Sequence, residues 1–73
     1  MSLYSKRGNM YGTIKYIKYG NELVEGAIKT DDGKTYYFSA AFIREVLDVG
    51  DEVIFELNKD WHALGVRRSL LAA

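Results

Sequence analysis

Residues 23–39 read LVEGAIKTDDGKTYYFS, and this stretch decides the fold. Leu23–Lys29 has the apolar character of a strand, and Gly26 inside it marks a bulge, a bend or a close backbone approach. Asp31-Asp32-Gly33 is a tight turn signal in which Gly33 can supply a positive φ. Lys34–Ser39 then runs back as a second strand, with Tyr36 and Phe38 on one face and Thr35 and Tyr37 on the other.

Working outward, Met10–Tyr19 (MYGTIKYIKY) alternates imperfectly between apolar and basic residues and reads as a strand, closed by a Gly20-Asn21 turn. On the other side, Ala40–Leu47 (AAFIREVL) breaks the strand pattern. Ser39 can cap a short helical turn there, with Phe42, Ile43, Val46 and Leu47 on its apolar side. Gly50-Asp51 turns the chain into Glu52–Leu57 (EVIFEL), with Val53, Phe55 and Leu57 facing inward. A loop at Asn58-Lys59-Asp60 leads to a last strand, Trp61–Leu70. Five short strands with a helical turn between the third and fourth predict an all-β fold, a small closed barrel without free edges. An OB-fold and an SH3-like barrel both meet that description, and length does not separate them.

Seventy-three residues allow one domain, and such a chain buries only about 60% of its unfolded surface. The domain is expected over residues 10–70, behind a flexible extension at 1–9 that reads either as a basic arm adding phosphate contacts or, through Met1-Ser2-Leu3, as partly a cloning leader. There is no cysteine, so disulfides and thiolate metal sites are excluded and a reducing compartment is tolerated. No apolar run approaches the roughly 20 residues of a membrane span, and Met1–Asn9 lacks the apolar core of a secretory signal. A soluble, cytoplasmic domain with no membrane partner is expected.

Ten basic residues balance ten acidic ones. A nucleic-acid-binding domain is usually basic overall, but here the charges are unevenly placed. Residues 1–18 hold four bases and no acid, residues 19–66 hold all ten acids against four bases, and Arg67-Arg68 follow. If the basic ends meet in space, the protein has a positive side.

The ordered landmarks resemble a bacterial cold-shock domain. That family's G-x-V-K-W-F is met by Gly12-Thr13-Ile14-Lys15-Tyr16-Ile17, and its second strand by Leu23–Ile28. An acidic turn with glycine follows in both. The family's V-F-V-H-F-S-A corresponds to Lys34–Ala40, and its L-x-x-G-x-x-V-x-F-E to Leu47–Glu56. The last strand matches weakly, through Ala63 and Val66. The resemblance spans residues 10–68 and favours the OB-fold.

The resemblance implies binding of single-stranded RNA or DNA by base stacking on the first three strands, with little sequence preference. Stacking tolerates any base because every base has a π-face, and it contributes about 1–3 kcal/mol per base. Tyr16 stands where the family has tryptophan, with Lys15 beside it, and Tyr37 stands where the family has histidine. Three positions depart from the pattern: Glu25, Ala27 and Thr35 replace stacking aromatics, and Glu25 repels phosphate. Tyr19, Phe42, Trp61 and His62 are candidate replacements, while Lys18, Arg67 and Arg68 are candidate phosphate contacts.

Each candidate also has a plain structural reading. Tyr16 and Tyr37 suit a barrel surface, Trp61 a lid over a thin core, Phe42 the core itself, His62 a loop, and Arg67-Arg68 a solvated strand end. Glu25 suits solubility or edge protection. No nucleophile–base pair, P-loop or dinucleotide fingerprint is present, so an enzyme is not expected, nor is a cofactor or metal. A domain this small is also expected to lack a pocket of several hundred Å³. The alternative from another class is a barrel used for self-association or for a protein partner, motivated by the eroded stacking platform and the neutral charge.

Overall fold

The structure, a computed structural model, describes residues 9–41, 43 and 45–69. Five strands follow one another: β1 (Met10–Tyr19), β2 (Val24–Lys29), β3 (Thr35–Ala40), β4 (Glu52–Leu57) and β5 (Ala63–Arg68). They form one antiparallel sheet in the order β3-β2-β1-β4-β5. The long β1 is shared: residues 10–13 pair with β4, and residues 13–19 pair with β2.

Two residues explain how so short a sheet encloses a core. Tyr36 on β3 and Phe55 on β4 lie three places apart in the strand order, yet their ring centroids are 5.9 Å apart. The sheet must therefore curl strongly for those rings to meet. The outer strands β3 and β5 approach within 8 Å between Cα atoms, although no ladder joins them among the described residues. Ile14, Ile28, Leu47, Val53 and Phe55 are fully buried inside the curl, with Val24, Tyr36, Phe38 and Ala63 around them. Burying a side chain of the size of Phe55 stabilises the fold by about 1.5–3 kcal/mol.

Gly26 answers to the close approach its position suggests. A Cβ there would lie 2.5 Å from the Tyr16 carbonyl oxygen and 2.6 Å from Phe38 Cζ. Gly33 takes the positive φ of its turn, +86°. In the same turn the Thr30 hydroxyl donates to Asp32 Oδ1, and the Lys34 N–H donates to that oxygen at 3.3 Å. These bonds hold the Asp32 carboxyl below the usual carboxylate range.

Bulges set the phase of two strands. The β1 register shifts between Ile14 and Tyr16, leaving Lys15 as the extra residue. Without it, Ile14 and Tyr16 would share a face; with it, Ile14 points into the core and Tyr16 outward, 48% exposed. β5 shifts between Leu64 and Arg67 around Gly65 (φ +63°), so that Ala63 and Val66 both reach the core.

The segment between β3 and β4 corrects the sequence reading: no helix forms among its described residues. Its backbone groups are taken by side chains rather than by a helical ladder. The Tyr19 hydroxyl meets the N–H and C=O of Leu47, Arg68 Nη2 donates to the Val46 carbonyl at 2.8 Å, and Asp51 Oδ2 accepts the Asp48 N–H at 2.9 Å. Only Leu47 is wholly buried, while Val46 is 76% exposed, so the apolar stripe expected of a helix is not realised. Phe42 and Arg44 lie outside the described residues, as do 1–8 and 70–73. β5 is also shorter than expected, because Trp61 and His62 belong to the preceding turn.

Candidate functional site

The outer face of β1, β2 and β3 carries three cross-strand rows, fixed by register. Thr13, Lys29 and Thr35 make the first, Tyr16, Ala27 and Tyr37 the second, and Lys18, Glu25 and Ser39 the third. The middle row decides the surface. Ala27 is wholly buried between two exposed tyrosines, Tyr16 at 48% and Tyr37 at 54%. Ala27 therefore adds no exposed surface of its own between the two rings.

Beside that row opens a pocket of about 190 Å³, lined by Tyr16, Glu25, Gly26, Tyr37, Phe38, Ser39 and His62. His62 arrives from the β4–β5 turn, which is tightly determined. Asn58 Oδ1 accepts the N–H groups of Asp60 (2.8 Å) and His62 (3.0 Å), and the Asn58 N–H donates to the His62 carbonyl at 3.0 Å. The cost of this turn falls on Trp61, a non-glycine residue at φ +64°, a conformation that bulky side chains seldom adopt. Trp61 is 57% exposed beside His62, so it does not serve as a lid over the core.

The cations divide into two groups. Lys15 and Lys18 stand exposed on β1, the strand of Tyr16, and Lys29 stands exposed on β2, between the two tyrosine-bearing strands. Arg67 is instead paired with Glu56 at 3.1 Å and bonded to the Gly65 carbonyl. Arg68 is paired with Asp51 at 3.1 Å, which helps hold the Asp51 carboxyl below its usual range; the larger cause is the Asp48 N–H that it accepts. Neither arginine lines the tyrosine pocket. Among the described residues, β4 with Glu52 and Glu56 lies between β1 and β5 in the strand order, while Lys6 and Arg7 of the basic N-terminal end lie outside the described residues.

Of the residues singled out in the sequence, Tyr16, Lys18 and Tyr37 fall in the cross-strand rows, and Lys15 is the exposed bulge residue beside Tyr16. Phe42 lies outside the described residues, and Tyr19 turns away to the Leu47 backbone. Lys29 and Ser39 went unremarked as site residues. Their signal was the period-2 alternation of β2 and β3, which puts Lys29 in phase with Ala27, and Ser39 in phase with Tyr37.

A second, larger cleft of about 430 Å³ lies between β3 and β5, where no ladder joins them. Phe38, Ala40, Ile43, Ala63, Leu64 and Val66 supply most of its apolar lining, with Glu45 and Arg67 at its margin. It exceeds what the sequence suggested for so small a domain. Among the described residues no group of three or more acidic, histidine or cysteine side chains is placed to hold a metal ion. None of their helices is long and apolar enough to cross a membrane. Comparison with protein-family models, with curated proteins and with solved structures finds no match to this chain.

Proposed function

We propose that this chain is a cold-shock-like module whose curled sheet is an OB-type barrel and whose outer β1–β2–β3 face binds single-stranded RNA or DNA. The observation that carries this reading is the Tyr16–Ala27–Tyr37 row, two exposed rings flanking a flush alanine beside a pocket of about 190 Å³. Flat rings on β1 and β3, one strand apart, can stack bases, and Lys15 and Lys18 on β1 and Lys29 on β2 stand exposed to meet phosphates. The strand order also supports the barrel, since β1 pairs with both β2 and β4 and the outer strands curl toward each other. With two stacking rings at about 1–3 kcal/mol each, binding is weak.

Fluorescence anisotropy with labelled oligo-U, oligo-dT and mixed-sequence oligonucleotides at low salt tests the proposal. Trp61, the only tryptophan, offers an independent readout through quenching. Three lysine–phosphate contacts give a salt slope near −2, so affinity should fall roughly 20-fold from 50 to 200 mM salt. Absence of binding at high micromolar protein removes the proposal. The competing reading, self-association, is favoured by the apolar cleft between β3 and β5. A strictly monomeric sedimentation profile at high concentration counts against it.

A further inference from the structure

Within the tyrosine pocket, Glu25 is the residue that a simple stacking platform does not explain. It lies one row from the two rings, between Lys18 and Ser39, and it lines the pocket with both tyrosines. Among the described residues no hydrogen bond or ion pair engages its carboxylate, not even with Lys18 directly opposite. An ionised carboxylate only accepts hydrogen bonds, and it offers two oxygens in one plane. A base stacked on Tyr16 or Tyr37 would present its edge to those oxygens.

The bases differ sharply at that edge. Guanine offers two adjacent donors, N1–H and the N2 amino group, which match the two carboxylate oxygens. Adenine and cytosine offer one amino group beside a ring nitrogen that is itself an acceptor and repels the second oxygen. Uracil and thymine offer one N–H flanked by two carbonyls. The guanine O6, next to N1, would need a donor, and the Ser39 hydroxyl and His62 imidazole line the same pocket.

We infer that Glu25 makes the Tyr16–Tyr37 pocket a guanine-selecting base site. The inference rests on the proposed single-strand-binding function and names the base that function would prefer at this position. Glu25 then lowers affinity for the phosphate chain in general, through charge repulsion, and restores it for a strand carrying guanine at the right place.

The test uses the full chain and a set of thymidine heptamers differing only in the central base: thymine, adenine, cytosine, guanine or hypoxanthine. Lithium buffer prevents guanine quadruplexes. The guanine heptamer should bind about tenfold or more tightly than the thymine, adenine and cytosine heptamers, the range of a good bidentate contact. Hypoxanthine, which lacks the N2 amino group, should fall between. Glu25→Gln should tighten the thymine, adenine and cytosine heptamers while erasing the guanine advantage; an unchanged circular dichroism melt shows that the variant still folds. Equal binding of all five heptamers, or a uniform gain in Glu25→Gln, overturns the guanine site and leaves single-strand binding standing. No binding of any heptamer at low salt overturns both.

Discussion

The Tyr19 hydroxyl accepts the Leu47 N–H at 2.8 Å and donates to the Leu47 carbonyl at 3.0 Å, tying the end of β1 to a loop 28 residues later. One side chain thus satisfies both backbone groups of a residue whose own side chain is wholly buried. Tyr19→Phe removes both bonds and strands two polar groups against the core. The expected loss is about 1–3 kcal/mol, with the melting temperature falling by about 4–8 °C per kcal/mol in a domain this size. Oligonucleotide affinity should not change, which separates Tyr19 from the tyrosines of the outer face.

Tyr16→Ala and Tyr37→Ala should each weaken oligonucleotide binding by about 1–3 kcal/mol, roughly 5- to 150-fold. Thr35→Ala, one row away, should have little effect. Anisotropy titrations of the three variants settle the matter, and equal effects would remove the stacking role.

Gly26→Ala tests the crossing of three strands. The added methyl would overlap the Tyr16 carbonyl and the Phe38 ring, and a backbone carbonyl cannot swing aside. Overpacking of this kind costs about 1–3 kcal/mol, measured as a shift of the urea midpoint without change of slope. Because the clash presses on the strand carrying Tyr16, binding should weaken as well. At Gly33 an added Cβ meets nothing within 4 Å, so Gly33→Ala carries only the backbone cost of its positive φ, about 1–2 kcal/mol, with binding unchanged.

Acid should destabilise the fold through two turn carboxylates. Asp32 is held below its ordinary value of 3.8 by the Thr30 hydroxyl and the Lys34 N–H, and Asp51 by the Asp48 N–H and Arg68. A carboxyl lowered in the folded state contributes stability that is fully present above the unfolded value. That stability is lost as pH falls through the lower folded value. The melting temperature should therefore stay level from neutral pH to about pH 5 and fall below about pH 4. Asp51→Asn should flatten part of that acid limb; an unaltered limb would show that Asp51 does not carry it.

Much of the sheet was legible because strand alternation and turn residues are local. EVIFEL became β4 at its expected bounds, and DDG became the β2–β3 turn. The β3–β4 segment was not legible, because what stops a helix there is Tyr19, Arg68 and Asp51 reaching in from β1, β5 and the edge of β4. The candidate face was half legible. The aromatic and basic residues could be named, whereas the pairing of Arg67 with Glu56 and Arg68 with Asp51 depends on neighbours 11 and 17 residues away.

By itself the sequence determined the strands, their turns and the residues available to the outer face, since period-2 patterning and glycine placement act over a few positions. Only the tertiary structure decided which way those residues point. The extra residue at Lys15 reverses the phase of β1, sending Ile14 inward and Tyr16 outward, and register then seats Ala27 between Tyr16 and Tyr37. Register follows from how the strands curl around Phe55 and its neighbours, a long-range packing constraint that no local pattern contains.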